Sequence, residues 1–324
     1  MVVNSKDLRL LALIACLVGV AASCSGSDTP LVGDSTRRFV VVATGDIACG
    51  EDPTPADPEQ QCRYDLVGDL VNRLEPDRFL PLGNIQYSFE GPPDYAAFYE
   101  RYFGDLMPVT SPTPGDSDWT PSPGAYLSTF GEAAGPPGGY YSFDVGSWHV
   151  ISLNSQDCLD ESGCGTGTRQ YEWLRSDLAS HPNSLYPCTL AYFHEPRFMW
   201  VTWWERNGAP KGANTQVTPF WSLLFGSGVD VVLGASAHNY ERWEPQDVAG
   251  NVDTAKGITQ FVVGTGGRRM MPLGPEPRPA NLVAAQDTSY GALRLALDPS
   301  GLDYAWHSAP EQPNFRDEGR LTCH

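Results

Sequence analysis

The 324-residue chain is short of charge, and of positive charge above all: only 19% of its residues are charged. Its 21 Lys and Arg face 39 Asp and Glu, a formal net charge of −18. That field argues against nucleic acid or an anionic membrane surface as a partner, and an anionic substrate needs a local cation to reverse it. The apolar run from Leu10 to Ala22 is too short to be a comfortable membrane span. Zinc-ribbon cysteine spacing is missing, and no internal repeat is visible. The run Gly264-Thr-Gly-Gly267 has no GK[ST] after it, which excludes a P-loop. Ser236 lacks the Gly two residues on that a serine nucleophile elbow needs, since His238 stands there.

What is present is a loop-rich globular composition. Hydrophobic residues make up 41% and aromatics 11%, beside 33 Gly and 28 Pro, enough to bury a sizeable core and too apolar for disorder. Lys6 and Arg9 precede the apolar run, which ends Ala21-Ala-Ser-Cys24 before the polar stretch SGSDTP. This is an export signal in pattern and resembles a bacterial lipoprotein signal, with residues 1–23 removed and Cys24 lipidated. Ala21 stands where Leu is usual, so plain cleavage after Ser23 stays open. Residues 24–37 read as a polar linker, and any membrane contact is expected only through the N-terminal lipid. Of eight cysteines, Cys16 and Cys24 lie in the signal, and the remaining six, an even number, read as disulfides in an exported chain. Local closure suggests Cys49–Cys62 and Cys158–Cys164, leaving Cys188–Cys323, among 15 possible pairings.

Residues 38–324 read as one α/β domain with mixed sheets. Phe39–Thr44 is a β-branched strand, Tyr64 to Leu74 carries helical spacing stopped by Pro76, and Arg78–Leu82 is a second strand. Strand, helix, strand implies a parallel pair. A helix over Tyr95–Phe103, a short strand over Val109–Pro112 and a hairpin of Tyr140–Val145 with His149–Leu153 follow. Then come a helix Tyr171–Leu178, a strand Thr189–Phe193, a helix Pro219–Phe225 and a strand Val229–Leu233. Strands Ile258–Val263, Gly291–Leu297 and Leu302–His307 close the domain.

A polar residue recurs where these strands end: Asp46, Asn84 with Tyr87, Asp116, His194 and His238. Strand ends in an α/β sheet converge on one crevice, and carboxylate, imidazole, amide and phenol together are a metal-site composition. Alone, each has a plainer reading: turn former, cap or hydrogen-bonded core histidine. His149 reads as core packing within its strand, and His181, His307 and His324 as surface or structural residues.

The blocks TGDIA, LPLGNIQY, PTPGDSDW, AYFHEPRF and GASAHNYER, with FVVGTGGR in support, resemble the calcineurin-like metallophosphoesterases of the purple acid phosphatase-like branch. The resemblance implies a four-layer αββα sandwich of two mixed sheets and hydrolysis of phosphoric esters at a dinuclear centre of Fe, Mn or Zn. On the family's pattern Asp46, Tyr87 and His238 would hold one ion. His194 would serve the other, with Asp116 in the place of an amide ligand. Three positions depart. Asn84 stands for the bridging Asp, Ser117 for an outer His, and Ser236 for the first His of GHxH; Glu195 follows His194 where His is common. These substitutions favour one ion, or none, over two, and weakened or lost hydrolysis of a small phosphoester. A shifted centre that uses the charge of Asp116 and Glu195 is the other outcome. The alternative of another class is a non-catalytic binding protein using the crevice and a rim of Trp200, Trp203 and Trp204.

Overall fold

The computed structural model describes residues 37–53, 62–88, 92–160, 163–201 and 213–324. The expected signal, Cys24, Trp203 and Trp204 lie outside the described residues. Strand β1 (Phe39–Thr44) pairs in parallel with β2 (Arg78–Pro81) through helix α1 (Tyr64–Arg73). Leu66, Val67, Leu70 and Val71 give α1 a buried stripe, and the helix stops at Leu74, ahead of Pro76. Three short helices follow: α2 (Glu100–Phe103), α3 (Asp116–Trp119) and α4 (Gly124–Phe130).

The hairpin β3 (Tyr141–Val145) and β4 (Trp148–Ser152) leads to helix α5 (Arg169–Ser180) and strand β5 (Cys188–Tyr192). Helix α6 (Thr218–Gly226) precedes β6 (Val231–Gly234), β7 (Tyr240–Trp243) and β8 (Thr259–Val263). The chain ends in β9 (Leu282–Gln286), β10 (Gly291–Asp298), β11 (Gly301–Ser308) and β12 (Glu318–Thr322). One sheet runs β12-β11-β10-β1-β2 and the other β3-β4-β5-β6-β8-β7-β9. Both are mixed: β1 is antiparallel to β10, and β4, β5, β6 and β8 form a parallel block beside the antiparallel β3 and β7.

Side-chain alternation builds the layers. Val41 and Ala43 of β1 face the second sheet with Leu190, Tyr192, Val231, Leu233 and Phe261, whereas Val42 faces the layer holding α1, α2 and α4. On the second sheet Ala191, Phe193 and Val232 turn outward onto Leu174 and Leu178 of α5 and Phe220, Trp221 and Leu224 of α6. Each large apolar side chain fully buried this way contributes about 1.5–3 kcal/mol. The architecture is the four-layer αββα sandwich with two mixed sheets.

Two expected elements differ. Val109–Pro112 is no strand but a pair of isolated parallel bridges, Thr110 to Phe79 and Thr113 to Leu82. Pro112 and Pro114 have no N–H to donate, so a ladder cannot continue. The helix expected over Tyr95–Phe103 is turns until Glu100. Strands β7, β9 and β12 lie outside the expected set. β7 carries Glu241 and Arg242 in its interior, and β12 is an exposed edge strand without apolar alternation.

All three suggested disulfides form: Cys49–Cys62, Cys158–Cys164 and Cys188–Cys323. The last joins β5 to the residue after β12, and Asp230 accepts hydrogen bonds from the backbone N–H of His324 and of Thr189. The His324 ring also lies on Asp230, at 2.7 Å. Closing a loop of this length constrains the unfolded chain by several kcal/mol. The double substitution Cys188→Ser/Cys323→Ser is expected to lower unfolding free energy by about 2–5 kcal/mol in urea titrations. Hydrogen exchange should speed in β12 before it does in β5.

Candidate metal centre

The crevice forms where the carboxyl ends of strands from both sheets meet. Asp46 follows β1, Asn84 and Tyr87 follow β2, His194 follows β5, and Ser236 and His238 follow β6. Backbone bonds tie the ends together: Gly45 N–H to Val263 O at 2.8 Å, Asp46 N–H to Gly83 O at 3.1 Å and Ala235 N–H to His194 O at 2.9 Å. Among the described residues six non-glycines have positive φ, and four of them are Asp46, Asn84, Ser236 and His238. Such conformations persist only where surroundings over-determine them, and here they concentrate at one crevice.

The first group of side chains is tight. Asp46 Oδ1 lies 2.7 Å from the Tyr87 hydroxyl, which lies 3.1 Å from His238 Nε2, and Asp46 Oδ1 and His238 Nε2 are 3.5 Å apart. His238 Nδ1 sits 2.8 Å from the Arg269 carbonyl. A ring nitrogen facing a carbonyl must carry the proton, so Nε2 is left as a lone pair pointing into the group. Tyr87 has one proton for two acceptors, and the other carboxylate oxygen of Asp46 is buried with no hydrogen-bond partner. Adjacent ligands on one ion, each at about 2.1 Å, stand about 3 Å apart, so these three atoms fit a cation. Burial and the neighbouring Asp46 push the Tyr87 phenol well above its ordinary range, so it stays protonated until a cation displaces the proton. The Arg268 guanidinium stacks over the Tyr87 ring at 4.8 Å, a positive group at the crevice of an acidic protein.

Asn84 faces the group with the wrong end. Its Oδ1 accepts from the backbone N–H of Ser117 at 2.9 Å and from the Ser117 hydroxyl at 2.8 Å. A backbone N–H is a fixed donor, so the oxygen must stay there and the NH₂ turns inward, donating to the Tyr87 hydroxyl at 3.0 Å. The side chain therefore presents hydrogens where a shared ligand would have to present lone pairs.

The second group is looser. His194 is fully buried, its Nδ1 held 2.8 Å from the Leu82 carbonyl and its Nε2 without a hydrogen-bond partner. Asp116 Oδ1 lies 3.9 Å from that nitrogen on a largely exposed side chain. Burial opposes an imidazolium at His194, but Asp46, Glu195 and Asp116 together hold its pKa above the ordinary histidine range. Ser236 donates to Oε1 of the buried Glu195 at 3.2 Å. Burial lifts Glu195 to about 7.

Asp118 was not among the expected residues. Its buried carboxylate accepts from the N–H groups of Ile85, Gln86 and Gly115 and from the Tyr95 hydroxyl, and so pins the loop that carries Asn84 and Tyr87. The signal was in PTPGDSDW, where a second Asp stands two residues after Asp116. Trp200 is half-buried, its indole N–H donating to Pro275 O at 3.2 Å and its backbone N–H to Glu241 at 2.9 Å. These bonds hold it in place.

No family model matches the chain. Purple acid phosphatase 22 of Arabidopsis thaliana is 32% identical over 171 residues, covering 52% of this chain and 36% of that protein. The purple acid phosphatase PPD1 from yellow lupin seeds superposes with a TM-score of 0.65 at 18% identity, over 90% of this chain and 55% of that one. GAP50, described as the anchor in the inner membrane complex of Plasmodium, superposes at 0.62 and 13% identity, covering 89% and 90%. The chain is thus similar in sequence to purple acid phosphatases over about half its length, and it shares the fold of the yellow lupin enzyme. It spans less than two fifths of the length of the first curated relative.

A partial ligand set also stands apart from this phosphoesterase-type crevice. Ligand atoms of Asp144, His149 and His181 lie within 4.8 Å of one another, at the amino end of β4, whereas the crevice is at the carboxyl ends. The rings of His149 and His181 stack in parallel, 3.8 Å apart and 9° from coplanar, so their lone pairs do not converge on one point. His149 instead bridges two carboxylates, Asp144 at 3.0 Å and Asp177 at 2.8 Å. His149 is thus an ionic link from the β3–β4 hairpin to α5, and not simply an apolar-packed core residue. Burial disfavours the imidazolium, but Asp177 and Asp144 prevail and raise the His149 pKa; burial raises Asp177, but His149 and Ser142 prevail and lower it. The His149 contribution to stability is complete below its unfolded value of about 6.5 and lost as pH rises through the raised folded value. The Asp177 contribution is complete above about 3.9 and lost as pH falls through its depressed value. Urea unfolding measured from pH 5 to 9 is expected to show stability falling on the alkaline side, and His149→Gln to flatten that fall. An unchanged slope in the variant would place the pH dependence elsewhere.

Proposed function

We propose that this chain is an exported metal-binding phosphoesterase-family protein that retains one cation half-site and hydrolyses small phosphoric esters with much reduced efficiency. The observation that carries the reading is the contrast between the convergent Asp46, Tyr87 and His238 and the inward NH₂ of Asn84. An Fe, Mn or Zn ion held by those three residues would supply Lewis-acid polarisation of a phosphoryl oxygen. The Arg268 guanidinium offsets the protein's negative field for an anionic ester. Ser117 spends its hydroxyl on Asn84, so it offers the substrate no proton and no transition-state donor. A missing donor of this kind costs about 10²–10³ in rate.

Three disulfides and the basic-then-apolar N-terminus support export, and the AASC stretch supports a lipid anchor at Cys24 on the outer face of a bacterial membrane. The net charge of −18 supports a small ligand rather than nucleic acid. A second reading, a binding protein without turnover, draws on the likeness to the anchor GAP50 over nearly the whole of both chains.

Metal analysis of the purified protein beside an aryl phosphate assay tests both. We expect a single equivalent of metal, removed by Asp46→Ala, with slow turnover. The triple variant Asn84→Asp/Ser117→His/Ser236→His is expected to raise turnover by about 100-fold or more. Two tightly held equivalents with fast wild-type turnover lost in Asp46→Ala would sink the reduced-activity reading. Metal-free protein with no turnover, in the wild type and the triple variant alike, would favour the binding protein.

A further inference from the structure

We propose that the buried guanidinium of Arg197 binds a small monovalent anion, chloride in class, with the side-chain amides of Asn214 and Gln246 as further donors. The site lies on the α6 side of the second sheet, where Phe198 packs on Trp221 with ring centroids 5.2 Å apart, and it makes no use of the crevice.

Arg197 is only 6% exposed and has no acidic partner among the described residues. Its guanidinium donates to carbonyls alone, Asn214 O at 3.5 Å and Val248 O at 3.2 Å, and stacks over the Phe198 ring at 4.6 Å. The Nε–H is buried without an acceptor. Burial lowers the Arg197 pKa, and no carboxylate is near enough to oppose the shift. Asp247, in the loop beyond the guanidinium, is occupied by Ala249 and Asn251 of its own loop. A cation taken out of water with no counter-charge is the costly form of burial.

The two amides add to the surplus of donors. Asn214 Oδ1 accepts from the backbone N–H of Gln216 at 3.0 Å, which fixes Nδ2 as the other end, buried and without a partner. Asn281 Nδ2 donates to Gly250 O at 3.1 Å and also to Gln246 Oε1, which leaves Gln246 Nε2 unmatched in the same way. Backbone contacts hold these residues together. The Asn214 N–H donates to the Arg197 carbonyl at 2.7 Å. A Cβ on Gly250 would stand 3.0 Å from Cε1 of Phe198 and 3.8 Å from Gln246 Oε1, so the loop after Gln246 closes onto the residue beside Arg197. Water could meet such donors, but it brings two hydrogens of its own and no charge. An acceptor-only ion meets the donors and neutralises the guanidinium. Every donor atom is buried, which selects a single-atom ion over phosphate or a carboxylate.

Thermal unfolding of the full chain in sodium chloride and in sodium gluconate, at equal ionic strength, tests the site, because gluconate is too large to enter it. An ion that binds only the folded chain raises the melting temperature by mass action. The wild type is expected to melt at least about 2 °C higher in chloride. Arg197→Met, similar in length and uncharged, should abolish the difference. Asn214→Asp keeps the oxygen that faces Gln216 and supplies an internal counter-charge, so it should abolish the difference with the fold intact. Should Arg197→Met fail to fold by circular dichroism, Asn214→Asp decides. Crystals soaked in bromide should show an anomalous peak in contact with the Arg197 guanidinium. No chloride difference in the wild type, a difference that persists in either variant, or bromide peaks only elsewhere overturns the proposal and gives the donors to water. None of these outcomes bears on the metal half-site of the crevice.

Discussion

The crevice depends on how closely the ends of β1 and β6 approach each other. A Cβ on Gly45 would stand 2.6 Å from Cβ of Ala235, and one on Gly264 would stand 2.7 Å from both Asp46 Oδ2 and the backbone nitrogen of His238. No side chain fits in either place. This contact explains why the strand Val231–Gly234 runs into Ala235, Ser236 and Ala237 before His238. The small residues are the seam between the sheets, and His238 is the first side chain beyond the seam with room to turn inward. The left-handed backbone at Asp46, Asn84, Ser236 and His238 follows from the same tightness. Each strand end must reverse sharply within a space that the opposite sheet already limits, at a cost on the order of 1–3 kcal/mol per residue. Asp, Asn and His tolerate this conformation better than Ser, so Ser236 is the most strained of the four. The backbone bonds from Gly45, Asp46 and Ala235 hold the turns closed.

Proton accounting at the crevice separates its two halves. Around Tyr87, one hydroxyl proton serves Asp46 and His238, while Asn84 contributes donors only. Three lone-pair-bearing atoms already share the geometry of a coordination sphere, and a cation would complete it without rearrangement. Around His194 the polar atoms are not drawn together: its Nε2 and Oε2 of Glu195 are both buried without a hydrogen-bond partner. The amide of Asn84, anchored by a backbone donor of Ser117, divides the halves physically. Changing Asn84 alone would leave that backbone N–H facing a carboxylate, which accepts it equally well. The N–H therefore tolerates either residue, and the side chain at position 84 decides whether the two halves share a ligand.

Much of this was legible in the residues themselves. The β-branched run of β1, the helical stripe of α1 and the apolar runs of β5 and β6 are local patterns, and each of the three strands leads into a polar residue at the crevice. The cysteine pairs followed from closure and elimination. The missing parts depend on partners far along the chain. β7 hides among charged residues because Glu241 is met by Trp200 and Trp243, and Arg242 by Asp317, 75 residues on. β12 has no apolar alternation and is held by β11 and a disulfide. The direction of the Asn84 amide cannot be read from its identity, because it is set by a backbone donor 33 positions later. His149 reads as a strand interior residue until α5 brings Asp177 to it.

The acidity of the chain and the chemistry of the crevice constrain each other. A protein with a net charge of −18 repels a phosphoric ester unless the site itself is positive. Among the described residues at the crevice, Arg268 over Tyr87 is a positive group, Asp46 and Asp116 are acidic, and burial lifts Glu195 to about 7. A single divalent ion at Asp46, Tyr87 and His238 would bring the first half near neutrality, and burial, by favouring the neutral form of Glu195, would leave Asp116 as the main charge repelling the ester's remaining oxygens.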